Sequence, residues 1–379
     1  MKLENEALAE VQSSGALSWS ACIPTLNRFD VLQVNLRCLL AQSRLPKQVI
    51  IVDASQDAEQ HRAALQPLFS GTGVEFILEP ASARSSAVQR NQALSHVTAD
   101  IVLLLDDDSL LFPDCAEKFL ATFEADHEQR VAGLALQNVS ELPPIAAALL
   151  GGSDQDASAI EQKKGGSTAN KSRLAFLEKY RLWRFFRKEV LMQAMDRMFV
   201  PYDSRRPRPS LQPSDNLIKV RHLPGYGMAV RTHIAQREQF NPFLLAYCPC
   251  EDLDASYRYG RHGICAFSPD ARLMHYEVEG SRITRMQATS LGVSNVALFI
   301  HTNSDSPTKH RAAFAVFALR RLVGETLKDF LSKRFDFPQA KGVMAAIPRS
   351  YGIFRRPLPD AQRWYQEQQL ELLQKKKAA

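Results

Sequence analysis

Between residues 18 and 140, short and continuously apolar runs alternate with stretches whose apolar residues recur at helical spacing. Few architectures accept that rhythm. The runs fall at 19–23, 49–52, 74–78, 101–105 and 131–136; the first stops at Pro24 and the second at Asp53. Between them 30–42, 57–69, 85–96 and 113–125 read as helices, the last with Pro113 in its first turn. A strand that is apolar on every residue has both faces covered, and a strand–helix repeat of this length is a βαβ unit. The alternation predicts an α/β fold with a Rossmann-like, mostly parallel sheet and helices on both faces. Ligands of such sheets bind beyond the carboxyl ends of the strands. Asp53 and the triplet Asp106, Asp107 and Asp108 stand at such ends.

The rhythm breaks at about 140–215, which reads as a basic, partly flexible insertion. Residues 151–172 are polar and Gly-rich, and 201–213 are rich in Pro and Arg. Between them, 175–199 reads as a helix with Lys179, Arg181, Arg184, Arg187 and Lys188 among Tyr180, Trp183, Phe185 and Phe186. Folded character returns near Val220, and beyond 285 the pattern is helical, including 309–331, up to Lys375, Lys376 and Lys377. The expected organisation is a flexible lead-in at 1–17, a catalytic domain at 18–285 and a helical C-terminal region at 286–379.

The chain carries a net charge of +6, which admits an anionic partner without requiring one. No apolar run reaches the ~18 residues of a membrane span, and the N-terminus lacks the apolar core of a signal peptide. The six cysteines are scattered without metal-site spacing, as in a reduced cytoplasmic protein.

Three adjacent carboxylates at a strand end repel one another, and a bound divalent cation is the usual reason to tolerate them. An acidic N-cap cluster is the bland alternative. Asp53 can accept hydrogen bonds from a base or ribose, or simply form a turn. Glu251 and Asp252 sit near a helix start, where they either offset the helix dipole or supply a general base. His275 follows an apolar segment; a lone histidine is more often a packing or surface residue than a ligand, but with the acidic triplet it can complete a metal site.

In order and context these segments resemble the inverting family 2 glycosyltransferases of GT-A fold. SACIPTLNRFDVL resembles that family's opening strand and turn, and IIVDAS its nucleobase-binding Asp strand. ARSSAVQRNQALSHVTADIVLLLDDDS resembles its Arg-Asn helix and the DxD strand that follows. PGYGMAVR resembles the small-residue segment before the acceptor helix, CEDLDASYRYGRHG the ED motif, and RLMHYEVEGSR the late histidine segment. The likeness covers roughly 20–140 and 220–285. It lacks the QxxRW motif of processive synthases, which argues against a membrane-embedded polysaccharide synthase.

The resemblance implies a hexosyl- or deoxyhexosyltransferase using a nucleotide-sugar donor and Mg2+ or Mn2+. It places Pro24, Thr25, Asn27, Arg28, Asp53, Arg90 and Asp106 at the donor nucleotide. The metal would lie on Asp106, Asp108 and His275. Asp252 would act as base, with Glu251 as the competing choice, and Gly225, Tyr226 and Gly227 would border the acceptor. The acceptor is expected to be a glycan or lipid-linked glycan of envelope or polysaccharide assembly. The basic aromatic segment adds an anionic membrane surface as a partner, so that a cytoplasmic protein sits peripherally at the inner membrane face; no nucleic acid is expected. Two rivals remain in view. A sugar-phosphate nucleotidyltransferase would need a Gly-rich phosphate loop after the first strand, which PTLNRFD lacks. A non-catalytic membrane or nucleic-acid binder would leave the acidic triplet and the ED pair without a role.

Overall fold

The computed structural model describes residues 16–150, 180–186, 217–246, 248–278 and 283–374. The expected loop at 151–172, the irregular stretch at 201–213, the first fifteen residues of the lead-in and the terminal lysines lie outside these residues. Of the helix expected over 175–199, residues 180–186 are included.

The alternation folds as βαβ units. β1 (Trp19–Thr25), α1 (Phe29–Leu40), β2 (Gln48–Asp53), α2 (Ala58–Leu65), β3 (Glu75–Pro80), α3 (Ser86–Leu94) and β4 (Ile101–Leu105) follow in order. Their strands pair in parallel as β3-β2-β1-β4, with Thr25 opposite Asp53 and Asp53 opposite Pro80. The carboxyl ends of these strands therefore reach one edge together. Ser85 fixes the start of α3 by accepting from the Val88 N–H.

Beyond β4 come β5 (Ser109–Leu111), α4 (Cys115–Ala125), β6 (Val131–Asn138), α5 (Pro144–Leu150) and α6 (Arg181–Phe185). β7 (Ile218–Lys219), β8 (Gly227–Arg231), α7 (Thr232–Arg237), α8 (Glu251–Tyr259) and β9 (Ile264–His275) complete a nine-stranded sheet. Its order is β3-β2-β1-β4-β8-β6-β9-β5, with β7 also on β9. β6 and β9 run parallel, whereas β8 runs against both β4 and β6, and β5 runs against β9. The sheet is thus parallel through its first half and mixed in its second. β8 begins beside the carboxyl end of β4, with Gly227 opposite Leu105, and runs back along it.

Successive strand residues face opposite sides, and each side has its own core. Trp19, Ile23, Val49 and Ile51 pack under α1, α2 and α4, with Trp19 edge-on to Phe119 at 5.5 Å. Cys22, Ile50, Val102 and Leu104 join the second core, which takes in α3, α8 and the C-terminal helices. Those helices are α9 (Arg285–Asn303), α10 (Pro307–Leu331), α11 (Pro338–Arg355) and α12 (Leu358–Gln374). They cover one face of the sheet: Val293, Phe299, Ile353 and Tyr365 share a cluster with Val102 and Leu104. No helix among the described residues is long and apolar enough to cross a membrane.

Candidate active site

The triplet forms the turn between β4 and β5. Asn35 of α1 holds that turn from below, donating to the carbonyls of Asp106 at 3.3 Å and Ser109 at 2.7 Å. The three carboxylates then point into different surroundings. Asp107 is buried, accepts from the Thr25 hydroxyl at 2.8 Å and pairs with Arg28 at 2.8 Å. Burial pushes its carboxyl up to about 6 against the pull of Arg28. Asp107 thus ties the turn to the end of β1.

Asp108 shares Arg28 through Oδ2 at 3.0 Å and, with Asp106, presents another oxygen towards His275 at the end of β9. His275 Nε2 lies 3.2 Å from Asp108 Oδ1 and 3.7 Å from Asp106 Oδ2. One ligand atom from each of the three lies within 4.8 Å of the others. The Asp108–His275 approach is a charge contact, and the buried Oδ1 has no other hydrogen-bond donor among the described residues. Burial pushes the Asp108 carboxyl up, but His275 and Arg28 outweigh it and hold the group below the usual carboxylate range. Two carboxylate oxygens and an imidazole nitrogen, one oxygen lacking a further donor, fit a divalent ion such as Mg2+ or Mn2+. Tyr226 stacks on the His275 ring at 4.9 Å and fixes its plane.

Arg90 of α3 links this turn to the ED helix. It is buried, pairs with Asp106 at 2.7 Å and with Glu251, and donates to the Gly225 carbonyl at 3.0 Å. Its guanidinium, expected near the base or diphosphate of the donor, meets protein groups on both sides and clamps the two acidic segments together. Glu251 is the second half of that clamp: one oxygen meets Arg90 and the other accepts from the Ser86 hydroxyl at 2.7 Å. Burial pushes Glu251 up to about 7, with Arg90 opposing.

Asp252 differs from its neighbour. Its side chain keeps 20% exposure, and Oδ2 accepts from the Gly225 N–H at 3.1 Å. His222 Nε2 sits 2.9 Å from the same oxygen, again in charge contact rather than a straight hydrogen bond. Burial alone would raise the Asp252 carboxyl; the His222 charge holds it below the usual range. Reciprocally, Asp252 lifts the His222 imidazole above its ordinary value against burial. Gly225, Tyr226 and Gly227 run between Asp252 and the metal trio, and a Cβ on Gly225 would come within 3.2 Å of Arg90.

Asp53 forms a separate group at the end of β2. It accepts from the Ser55 N–H at 2.8 Å and meets His61 Nδ1 at 2.7 Å. His61 stacks on Phe29 at 4.5 Å, and the Asn27 N–H donates to Ser55 from a left-handed backbone with φ 54. Gln89 ties the strand ends together by donating to the carbonyls of Thr25 and Val52. His61, His222, Asn35 and Gln89 were not singled out in the sequence. Each lies on an ordinary helix or loop, and only the fold shows which carboxylate or carbonyl it meets.

The glycosyl transferase family 2 matches over residues 20–166. A comparison with the curated proteins finds no match. Among solved structures, GalNAc-T7 with UDP, GalNAc and Mn2+ has a TM-score of 0.50 at 13% identity, over 85% of this chain and 55% of that one. The mannosyltransferase PcManGT from Pyrobaculum calidifontis, with GDP-Man and Mn2+, has a TM-score of 0.46 at 13% identity, over 92% and 94% of the two chains. S. aureus TarS 1–349 with UDP-GlcNAc gives 0.46 at 13%, over 92% and 90%, whereas the chain spans 44% of the longer TarS structure. The parallel first half and the likeness to GalNAc-T7 show a GT-A fold, and residues 20–166 match the glycosyl transferase family 2 model.

Proposed function

We propose that the chain is an inverting, metal-dependent glycosyltransferase moving a sugar from a nucleotide-sugar donor to a hydroxyl of a glycan or lipid-linked glycan. The observation that carries this reading is the pairing of two sites: the Asp106, Asp108 and His275 donor set, and Asp252 across the Gly225 to Gly227 segment. The nucleotide-sugars in the names of the structures above support the donor class by analogy. A divalent ion bound at the trio supplies Lewis-acid neutralisation of the charge that grows on the departing diphosphate.

The chain's own residues do the rest. Asp252, ionised at neutral pH, takes the proton of the acceptor hydroxyl as its oxygen bonds to the anomeric carbon. The bond to the diphosphate oxygen breaks with its electron pair, and a single displacement inverts the centre. Glu251 is buried against Arg90 and Ser86, whereas the Asp252 side chain keeps 20% exposure, so Glu251 holds the clamp and Asp252 is assigned the base. Asp53, Asn27 and the β1 turn border the nucleotide.

Release of nucleoside diphosphate from a panel of nucleotide sugars, with Mn2+ or Mg2+ and then with chelator, tests the assignment. Release should stop with chelator. Asp252→Asn should keep donor affinity and lower turnover by about 10²–10⁴-fold. Normal turnover in Asp252→Asn with loss in Glu251→Gln would move the base to Glu251. Release that ignores chelator would remove the metal from the reaction.

A further inference from the structure

α10 is apolar on two opposite sides. One side, with Phe314, Phe317 and Ala318, is buried in the core. On the other, Val316, Leu319, Val323 and Phe330 recur every three, four or seven residues and are exposed, Leu319 by 64%. That spacing makes one continuous stripe. The turn after α10 adds exposed Phe335, ring against ring with Phe330, and α11 continues with exposed Met344, Ile347 and Tyr351. Monomeric proteins seldom leave so large a contiguous apolar surface unoccupied.

The charge around it is one-sided. Residues 307–356 contain eleven Lys and Arg against three acids, a net +8, in a chain whose total is +6. The rest of the protein is therefore slightly acidic, and its positive charge is concentrated here. Two of the acids are buried and neutralised internally: Glu325 by Arg321 and Lys328, and Asp329 by Arg334. Asp336 is the remaining acid, against exposed Lys309, Arg311, Lys333, Lys341 and Arg355 in the same segment. A second copy docked through a two-fold would set basic rim against basic rim. Nucleic acid would match the rim and leave the stripe in water. An anionic lipid interface matches both: headgroups meet the rim, and aliphatic and aromatic side chains enter the acyl boundary.

We propose that α10, the turn after it and α11 form a docking face for an anionic bilayer. The same helix reaches the ED segment: Arg321 acts on the Cys250 thiol, which is governed first by burial and stands two residues before Asp252. Arg321 pairs with buried Glu325 on the side of α10 away from the stripe, so docking leaves the ED segment on the inner side of the helix. That docking delivers a lipid-linked acceptor to Asp252 rests on the glycosyl-transfer reading; the docking itself does not.

The full chain, without sugar donor, is sedimented with phosphatidylglycerol-containing vesicles and with pure phosphatidylcholine vesicles. It should bind the first and not the second, and binding should weaken as salt rises. Lys333→Gln, Lys341→Gln and Arg355→Gln should each weaken binding about fivefold. Leu319→Asn with Val323→Asn should weaken it at low and high salt alike. All five positions are exposed, and unchanged circular dichroism and nucleotide binding would verify the fold of each variant. Absence of binding to anionic vesicles overturns the proposal. So does binding indifferent to both sets of substitutions, or a dimer in solution that the Leu319 and Val323 changes dissolve while no variant binds vesicles. Nucleoside-diphosphate release is read separately, so an inactive chain that still docks would count against the reaction and not against this face.

Discussion

At the start of α8 two adjacent carboxylates end in opposite surroundings, because a helix turns about 100° per residue. Glu251 points into the protein against Arg90 and Ser86, and Asp252 points along the Gly225 segment towards His222. Breaking a buried pair such as Arg90–Glu251 leaves an unpaired charge and costs about 3–5 kcal/mol. Glu251→Gln should therefore be felt in stability, and Asp252→Asn in turnover. The His222–Asp252 contact predicts a pH dependence whose sign follows from both shifts. His222 is raised from 6.5, so its contribution is complete below that value and is lost as pH climbs through the raised one. Asp252 is lowered from 3.8, so its contribution is complete above that value and is lost as pH falls through the depressed one. The pair stabilises most between 3.8 and 6.5. His222→Gln should flatten the decline of melting temperature above 6.5 and shift the acid limb of the turnover profile upward. An unchanged slope and limb would show that His222 does not act through Asp252.

Secondary elements were legible where their period was long enough to read. β1 to β4 and the helices between them follow the apolar runs to within a few residues; β1, β2 and β4 are covered on both faces and so apolar almost throughout, and edge strand β3 keeps its apolar centre between Glu75 and Glu79. The acid pair at the helix start and the triplet at a strand end were legible because the ends of those elements were. β5 was not: three residues carry no period, and it exists because the acidic turn brings Ser109 opposite His275 on β9. Nor was the reversal of β8, since direction is set by where a chain enters the sheet and leaves no mark on its side chains. The partners His61 and His222 were hidden likewise; a lone histidine says nothing of the carboxylate that faces it. Helix contacts give the next test. α11 packs on α9 through Gly342, where a Cβ would lie 2.6 Å from the Met286 carbonyl and 2.8 Å from the Thr289 Cβ. Backbone on one side and a packed side chain on the other leave no room to yield. Gly342→Ala should lower unfolding free energy by about 1–3 kcal/mol in a denaturant titration; an unchanged midpoint would mean that the two helices can separate without loss.

The whole molecule is bound together by the core beneath α9 to α12. Val293, Phe299, Phe317 and Tyr365 fill the same cluster as strand residues Val102 and Leu104, and Gln369 bonds the Phe243 carbonyl and the Leu245 N–H. The catalytic and C-terminal segments are therefore expected to melt together. Calorimetry should show one transition, and a chain cut after residue 284 should lose it; two separated transitions would make the segments independent. One further consequence follows from the reversed strand β8. Because Gly227 registers with Leu105 on one side and Met228 with Ala135 on the other, the glycine segment is located by its neighbours in the sheet and not by the chain that leads to it. The long connection between β6 and β8 is thereby released from any duty of measurement. Doubling its length costs only about 0.6 kcal/mol of closure entropy. Descendants of this sequence can lengthen or shorten that stretch while the strands hold the glycine segment in register.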